Sequence, residues 1–261
     1  MAFRTKVLWA VSMTAAQEAT LAAHAKAAGA NAVCIRTSNT RLAGAIGRFH
    51  ALGIKVYGWR WPAAKPIDSA SHYYALDEAD FVAGQLIPQG LDGYIADIES
   101  EADGRVNDWN NASFGPLATT FCSKIKTAAA AAGLGAFRFG LTSGCAYPDL
   151  KMRPNIPWAQ FGGASNLLLP QTYWRWTNGE NHVEPINGGS PDAAITKGVD
   201  SWARIAAGKA IVPMAGELDV ITAAEIAGYG ARMAALGHDE LHFYADANKI
   251  DPANLAAIAA L

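Results

Sequence analysis

Eight short runs rich in β-branched and aromatic residues recur along the chain, at positions 7–11, 32–35, 54–59, 93–98, 137–141, 167–172, 210–214 and 241–245. Alanine-rich stretches carrying helix start and stop signals lie between them. Thr14 with Gln17, and Thr222 with Glu225, have the spacing of a capping box, in which side chain and backbone satisfy each other's free N–H groups. Gly29 and Gly237 supply the matching stops, and Ser190-Pro191 and Asp251-Pro252 each set a cap before a proline at the first helical position. Strand–helix alternation of this kind makes a parallel sheet, because parallel neighbours need a long crossover between them. Eight such units in 261 residues predict an α/β protein, a single (β/α)8 barrel domain spanning 1–261. An open doubly wound sheet would want a glycine-rich loop after its first strand, and Ala10-Val11-Ser12-Met13-Thr14 contains no glycine.

The fourth run closes on Asp97 and Glu99, two acids two residues apart. Alternate residues of a strand face the same side, so the two carboxyl groups start roughly 7 Å apart at their Cα atoms. Crowding two like charges raises the proton affinity of one of them, so that one stays protonated while its neighbour is ionised. Such a pair can cleave an acetal.

Composition narrows the alternatives. With 51% hydrophobic and 17% charged residues the chain has ample material for a core. A net charge of −2, with no basic stripe, argues against nucleic acid as a partner. No apolar run is long enough for a membrane span, so no insertion is expected. Arg4 and Lys6 before Val7-Leu8-Trp9-Ala10-Val11 faintly imitate a signal peptide, yet the stretch also reads as the first strand. The expectation is therefore a monomer made in the cytoplasm and reaching any outside target by release or non-classical export. Cys34, Cys122 and Cys145 are far apart and form no CxxC pair, which predicts buried free thiols. His24, His50, His72, His182, His238 and His242 show no HxH or HExxH spacing, so neither a metal site nor a cofactor is implied.

A barrel of this type builds its site from the strands' C-terminal ends and the loops beyond them. Those positions are occupied by Ser12 and Met13; Arg36 and Ser38; Trp59, Arg60 and Trp61; Asp97 and Glu99; Thr142 and Ser143; Gln171, Tyr173, Trp174 and Trp176; Glu217 and Asp219; Asp246 and Asn248. Aromatic faces suit the C–H edges of sugar rings, which marks Trp59, Trp61, Tyr173, Trp174 and Trp176 as candidate platforms. Alternation sends one of Trp59 and Arg60 into the barrel and the other toward the helices. Arg36, Gln171, Glu217 and Asp246 complete the expected substrate-binding set. The aperiodic stretch 177–189, with His182, is expected to be a loop walling the cleft. The turns after the seventh and eighth strands are acidic, which disfavours phosphorylated substrates, and Thr142-Ser143-Gly144-Cys145 is not a nucleophile elbow.

The stretch from Gly53-Ile54-Lys55-Val56-Tyr57-Gly58-Trp59 through Ala75 and Glu78-Ala79-Asp80-Phe81 to Asp97-Ile98-Glu99-Ser100 resembles the third strand, following helix and fourth strand of family 25 glycoside hydrolases, lysozyme-like muramidases with a modified barrel. Asp92-Gly93 followed by Asp97 and Glu99 is also similar to the DGxDxDxE motif of family 18 chitinases, incomplete here because Ile95 stands where the first acid inside the strand belongs. Weaker echoes occur in Gln171-Thr172-Tyr173 and Asp246-Ala247-Asn248. The resemblance implies Glu99 as proton donor to the glycosidic oxygen and Asp97 as its charged partner, with Tyr173, Gln171 and Asp246 holding the sugar. It implies hydrolysis of an N-acetylated polysaccharide, the peptidoglycan of bacterial cell wall. Family 25 enzymes usually carry an aspartate near the end of the first strand, where this chain has Ala10-Val11-Ser12. That departure keeps open an alternative: an inactive barrel that binds glycan or a protein partner.

Overall fold

A computed structural model of the chain describes residues 3–69, 72–100, 108–149, 152–177, 183–244, 246 and 249–261. Its main sheet comprises β1 (Thr5–Ala10), β2 (Ala32–Arg36), β3 (Lys55–Arg60), β6 (Gly93–Asp97), β7 (Arg138–Gly144), β8 (Leu167–Gln171) and β11 (Glu240–Phe243), all parallel, in the spatial order β11-β1-β2-β3-β6-β7-β8. Two small antiparallel ribbons stand outside it: β4 (Pro66–Ser69) with β5 (His72–Tyr73), and β9 (Arg175–Thr177) with β10 (Val183–Pro185).

The gap between β8 and β11 is where the seventh run was expected, and residues 211–215 fill it by isolated bridges rather than a continuous strand. Leu168 pairs with Ile211 and Gln171 with Met214 on one side, and Ala215 with Phe243 on the other. Pro213 explains the weakness: it has no N–H to give a ladder, and its carbonyl oxygen instead accepts from the Tyr229 hydroxyl at 2.8 Å. The sheet nevertheless closes, as the eight-unit pattern predicts. The stretch after Thr177 departs from the sequence reading, since part of it pairs as the β9–β10 ribbon; His182 lies outside the described residues.

Among the described residues eight α-helices wrap the sheet: α1 (Ala15–Ala28), α2 (Leu42–Ala51), α3 (Tyr74–Phe81), α4 (Gly115–Ala131), α5 (Trp158–Ala164), α6 (Pro191–Ala206), α7 (Ala223–Ala235) and α8 (Pro252–Ala260). Both capping boxes form, and Ser190 and Asp251 cap α6 and α8. Lys6 points outward from β1 and fastens two helix ends: its Nζ donates to Ile258 O at 2.7 Å, Ala259 O at 3.3 Å and Ala28 O at 3.4 Å. A cation at carbonyl-rich C-termini is the favourable pairing with the helix dipole.

Period-two alternation decides what lies inside the barrel. Trp9, Trp59, His242 and Tyr244 touch one another across it, from β1, β3 and the end of β11. Below them Arg138, Glu240 and Tyr57 form a polar layer, and above them the strand ends open. Tyr94, Phe121 and Phe139 pack on the outer side, between sheet and α4. All three cysteines are buried and free, as expected.

Candidate active site

β6 delivers Asp97 to the mouth of the barrel, and pairing continues one step further, with Ile98 N donating to Thr142 O at 2.9 Å. Glu99, two positions on, therefore leaves the sheet on the same side as Asp97. Its carbonyl oxygen accepts from Trp109 N at 3.1 Å, and Trp109 is itself fixed, wholly buried with its indole N–H on Pro62 O at 2.6 Å. Gln171 at the end of β8 ties the acids together: its Nε2 donates to Asp97 Oδ1 at 2.9 Å and Glu99 Oε1 at 3.3 Å. An amide nitrogen serving two carboxyl groups holds their separation without adding net charge.

Asp97 is 7% exposed, whereas Glu99 is half-buried. Burial pushes the Asp97 carboxyl well above the usual aspartate range; the adjacent Glu99 charge and the hydrogen bond between the two push it further, and the amide of Gln171 only partly opposes this. Burial and the neighbouring acid thus favour a proton on Asp97, in its hydrogen bond with Glu99. The sequence reading made Asp97 the charged partner, a role it takes up only when that proton leaves.

Tyr173 and Tyr244 stack in the bowl beside the acids, centroids 5.3 Å apart and 7° from parallel. Burial raises both phenols, Tyr173 also through Tyr244 and Asp97, Tyr244 also through Asp97 and Glu217. Gly216 makes room for the Tyr173 ring, since a Cβ there would sit 2.6 Å from two of its carbons. Glu217 is half-buried; burial and the nearby Asp219 raise its carboxyl, against a hydrogen bond from the Thr177 backbone. Tyr147 flanks the pair on the other side: burial, then the Glu99 charge, push its hydroxyl up to about 12. Gly144 permits this placement, because a Cβ would meet the Tyr147 ring at 2.7 Å.

The remaining expected site residues separate by parity. Trp59 is inside but 1% exposed, donating to Ala10 O at 3.1 Å, so it is the floor of the bowl rather than a platform. Trp61 lies tilted against it, centroids 5.3 Å apart and planes inclined by 54°, and is part-exposed, with the Arg36 guanidinium 5.3 Å from its ring centre. Asp246 accepts from Ser12 Oγ at 3.2 Å and so brings a carboxyl to the end of β1, where Ala10-Val11-Ser12 carries none. Trp176 is 43% exposed on the β9–β10 ribbon. Trp174 does not belong to the set: it faces outward, wholly buried, against Tyr229 of α7 at 6.0 Å. Thr142 and Ser143 are likewise buried in backbone contacts, and Asn248 lies outside the described residues. Tyr147 and Tyr244 were missed from sequence. Tyr244 was discoverable, being two residues past His242 on a strand whose alternation puts both inside; Tyr147, three residues into a loop, carried no such signal.

No protein-family model matches the chain, and no curated protein sequence is similar to it. Solved structures are similar in fold. The spore cortex-lytic enzyme SleL of Bacillus cereus superposes with a TM-score of 0.65 at 10% identity, covering 97% of this chain and 73% of that one. A family GH18 chitinase from Chromobacterium violaceum gives 0.62 at 12% identity, over 98% of this chain and 82% of that one. The active domain 2 of a thermostable chitinase from Pyrococcus furiosus gives 0.59 at 11% identity, over 99% and 95%. The chain has the α/β barrel fold. At these identities the likeness is one of architecture, and function has to be argued from the site.

Proposed function

We propose that this chain is a glycoside hydrolase acting on an N-acetylated polysaccharide, the glycan strands of bacterial cell wall. The observation that carries the reading is the Asp97–Glu99 pair, two hydrogen-bonded carboxyl groups at the mouth of the barrel, bridged by Gln171 and placed to share one proton. When substrate binds, the shared proton crosses the hydrogen bond from Asp97 to the half-buried Glu99, which presents it to the glycosidic oxygen. As the C–O bond breaks, the proton goes to the leaving oxygen, and water or the substrate's own N-acetyl oxygen captures the positive anomeric carbon. Asp97, left ionised by that transfer, compensates the positive charge that develops at the anomeric carbon. Tyr173, Tyr244 and Trp61 supply ring faces and hydroxyls for the sugar. The cortex-lytic and chitinase names of structures with this fold agree with such a substrate.

Turbidity loss of a peptidoglycan suspension tests the proposal. Glu99→Gln keeps the shape and removes the transferable proton, and the rate is expected to fall by a factor on the order of a hundred or more. Equal, appreciable rates for the two proteins would remove Glu99 from its role. The second reading, a binding barrel without catalysis, is favoured by β1 ending on Ala10 rather than an acid; it predicts glycan binding with no cleavage by either protein.

A further inference from the structure

Arg41, Arg48, Arg138, Arg175 and Arg232 each face a carboxylate. Arg36 does not. It ends β2, in register with Trp59 on β3, and lies over the Trp61 ring at the mouth of the barrel. Its Nε is buried and meets no hydrogen-bond partner. A buried donor left unpaired costs free energy, and a guanidinium that is not spent on a carboxylate keeps its two terminal nitrogens for a ligand. At the Tyr244 hydroxyl Arg36 works against the acid cluster of Asp97, Glu217 and Glu99, so cation and acids share one bowl.

We propose that Arg36, laid on Trp61, receives a carboxylate carried by the glycan, so that the chain prefers acidic sugars to neutral ones. This rests on the glycan-cleft reading above and adds a register to it. Glu99 and Glu217 repel an anion, and Arg36 attracts one. A carboxylated sugar is therefore drawn to the Trp61 side, which places its neighbour over the acid pair. One arginine matches one carboxylate as a bidentate pair, whereas a doubly charged phosphate would meet more repulsion from the acids. Two kinds of glycan offer that group: an amino sugar bearing a lactyl ether, and a uronic acid.

Calorimetric titration in the Glu99→Gln background measures binding without turnover. Three disaccharides separate the sources: muramyl-N-acetylglucosamine with its lactyl carboxylate, glucuronyl-N-acetylglucosamine with its ring carboxylate, and neutral N,N′-diacetylchitobiose. At least one acidic disaccharide is expected to bind about tenfold or more tighter than the neutral one, and the preferred one identifies the source. Adding Arg36→Gln should abolish the preference, with the larger loss of affinity falling on the acidic disaccharide, and Arg36→Lys should retain part of it. Equal affinity for all three disaccharides, or a preference that survives Arg36→Gln, overturns the inference while leaving the glycan reading intact. Binding of none of them overturns both. Continued cleavage by Glu99→Gln would instead refute the catalytic assignment alone.

Discussion

Glu240, low in the barrel, and Asp97, at its mouth, are both carboxyl groups withdrawn from water, yet their protons behave in opposite ways. Burial alone would raise Glu240, but hydrogen bonds from His242 at 2.7 Å and Arg138 at 2.6 Å hold it down to about 2. An indole N–H can only donate, and Trp9 Nε1 donates to His242 Nδ1 at 3.1 Å, which turns Nε2 toward Glu240. Among the described residues Asp97 has no cation in contact; its neighbours are another acid and an amide. Complete compensation makes the lower layer a structural brace. Incomplete compensation at the mouth leaves a proton to give away, and the same barrel thus carries a stable floor beneath a reactive rim.

That contrast can be broken from the bottom. Removing the guanidinium with Arg138→Ala strands a buried carboxylate, and urea unfolding should show a loss of about 3 kcal/mol or more. A loss under about 1 kcal/mol would mean that the lower layer braces nothing. The pH dependence of stability sharpens the comparison next, because the two acids act with opposite sign. Glu240 binds its proton less tightly folded than unfolded, so its contribution, about 3 kcal/mol, is complete above the ordinary glutamate range and lost as pH falls toward 2. Asp97 binds its proton more tightly folded, so its contribution is present at acid pH and lost as pH rises through its elevated value. Urea midpoints across pH should therefore lose their acid-side slope in Glu240→Gln and their opposite slope in Asp97→Asn. The smallest expected effect is on the fold of Glu99→Gln: its unfolding midpoint should match the wild type within about 0.5 kcal/mol, since the group is half exposed and its backbone anchor to Trp109 is untouched.

Much of the barrel was legible because its signals are local and repeated: period-two strands, capping boxes at Thr14 and Thr222, and eight units in order. The seventh strand was overread, since Val212-Pro213-Met214 has strand composition while Pro213 denies it a ladder. Asp97 and Glu99 were legible as neighbours on one face. Which of them keeps the proton was not, because that depends on depth and on Gln171, contributed 72 residues after Glu99. Trp174 was misassigned although alternation from the inward Gln171 and Tyr173 already turns it outward. Tyr147 needed the loop geometry that Gly144 allows.

The central claim, an acid pair holding one proton on its buried member, is most directly tested by carbon-13 titration of the Asp97 side-chain carboxyl. The account predicts a midpoint well above that of an ordinary aspartate in the wild type, moving down when Glu99→Gln removes the neighbouring charge. A midpoint in the ordinary range, unmoved by that substitution, would contradict it.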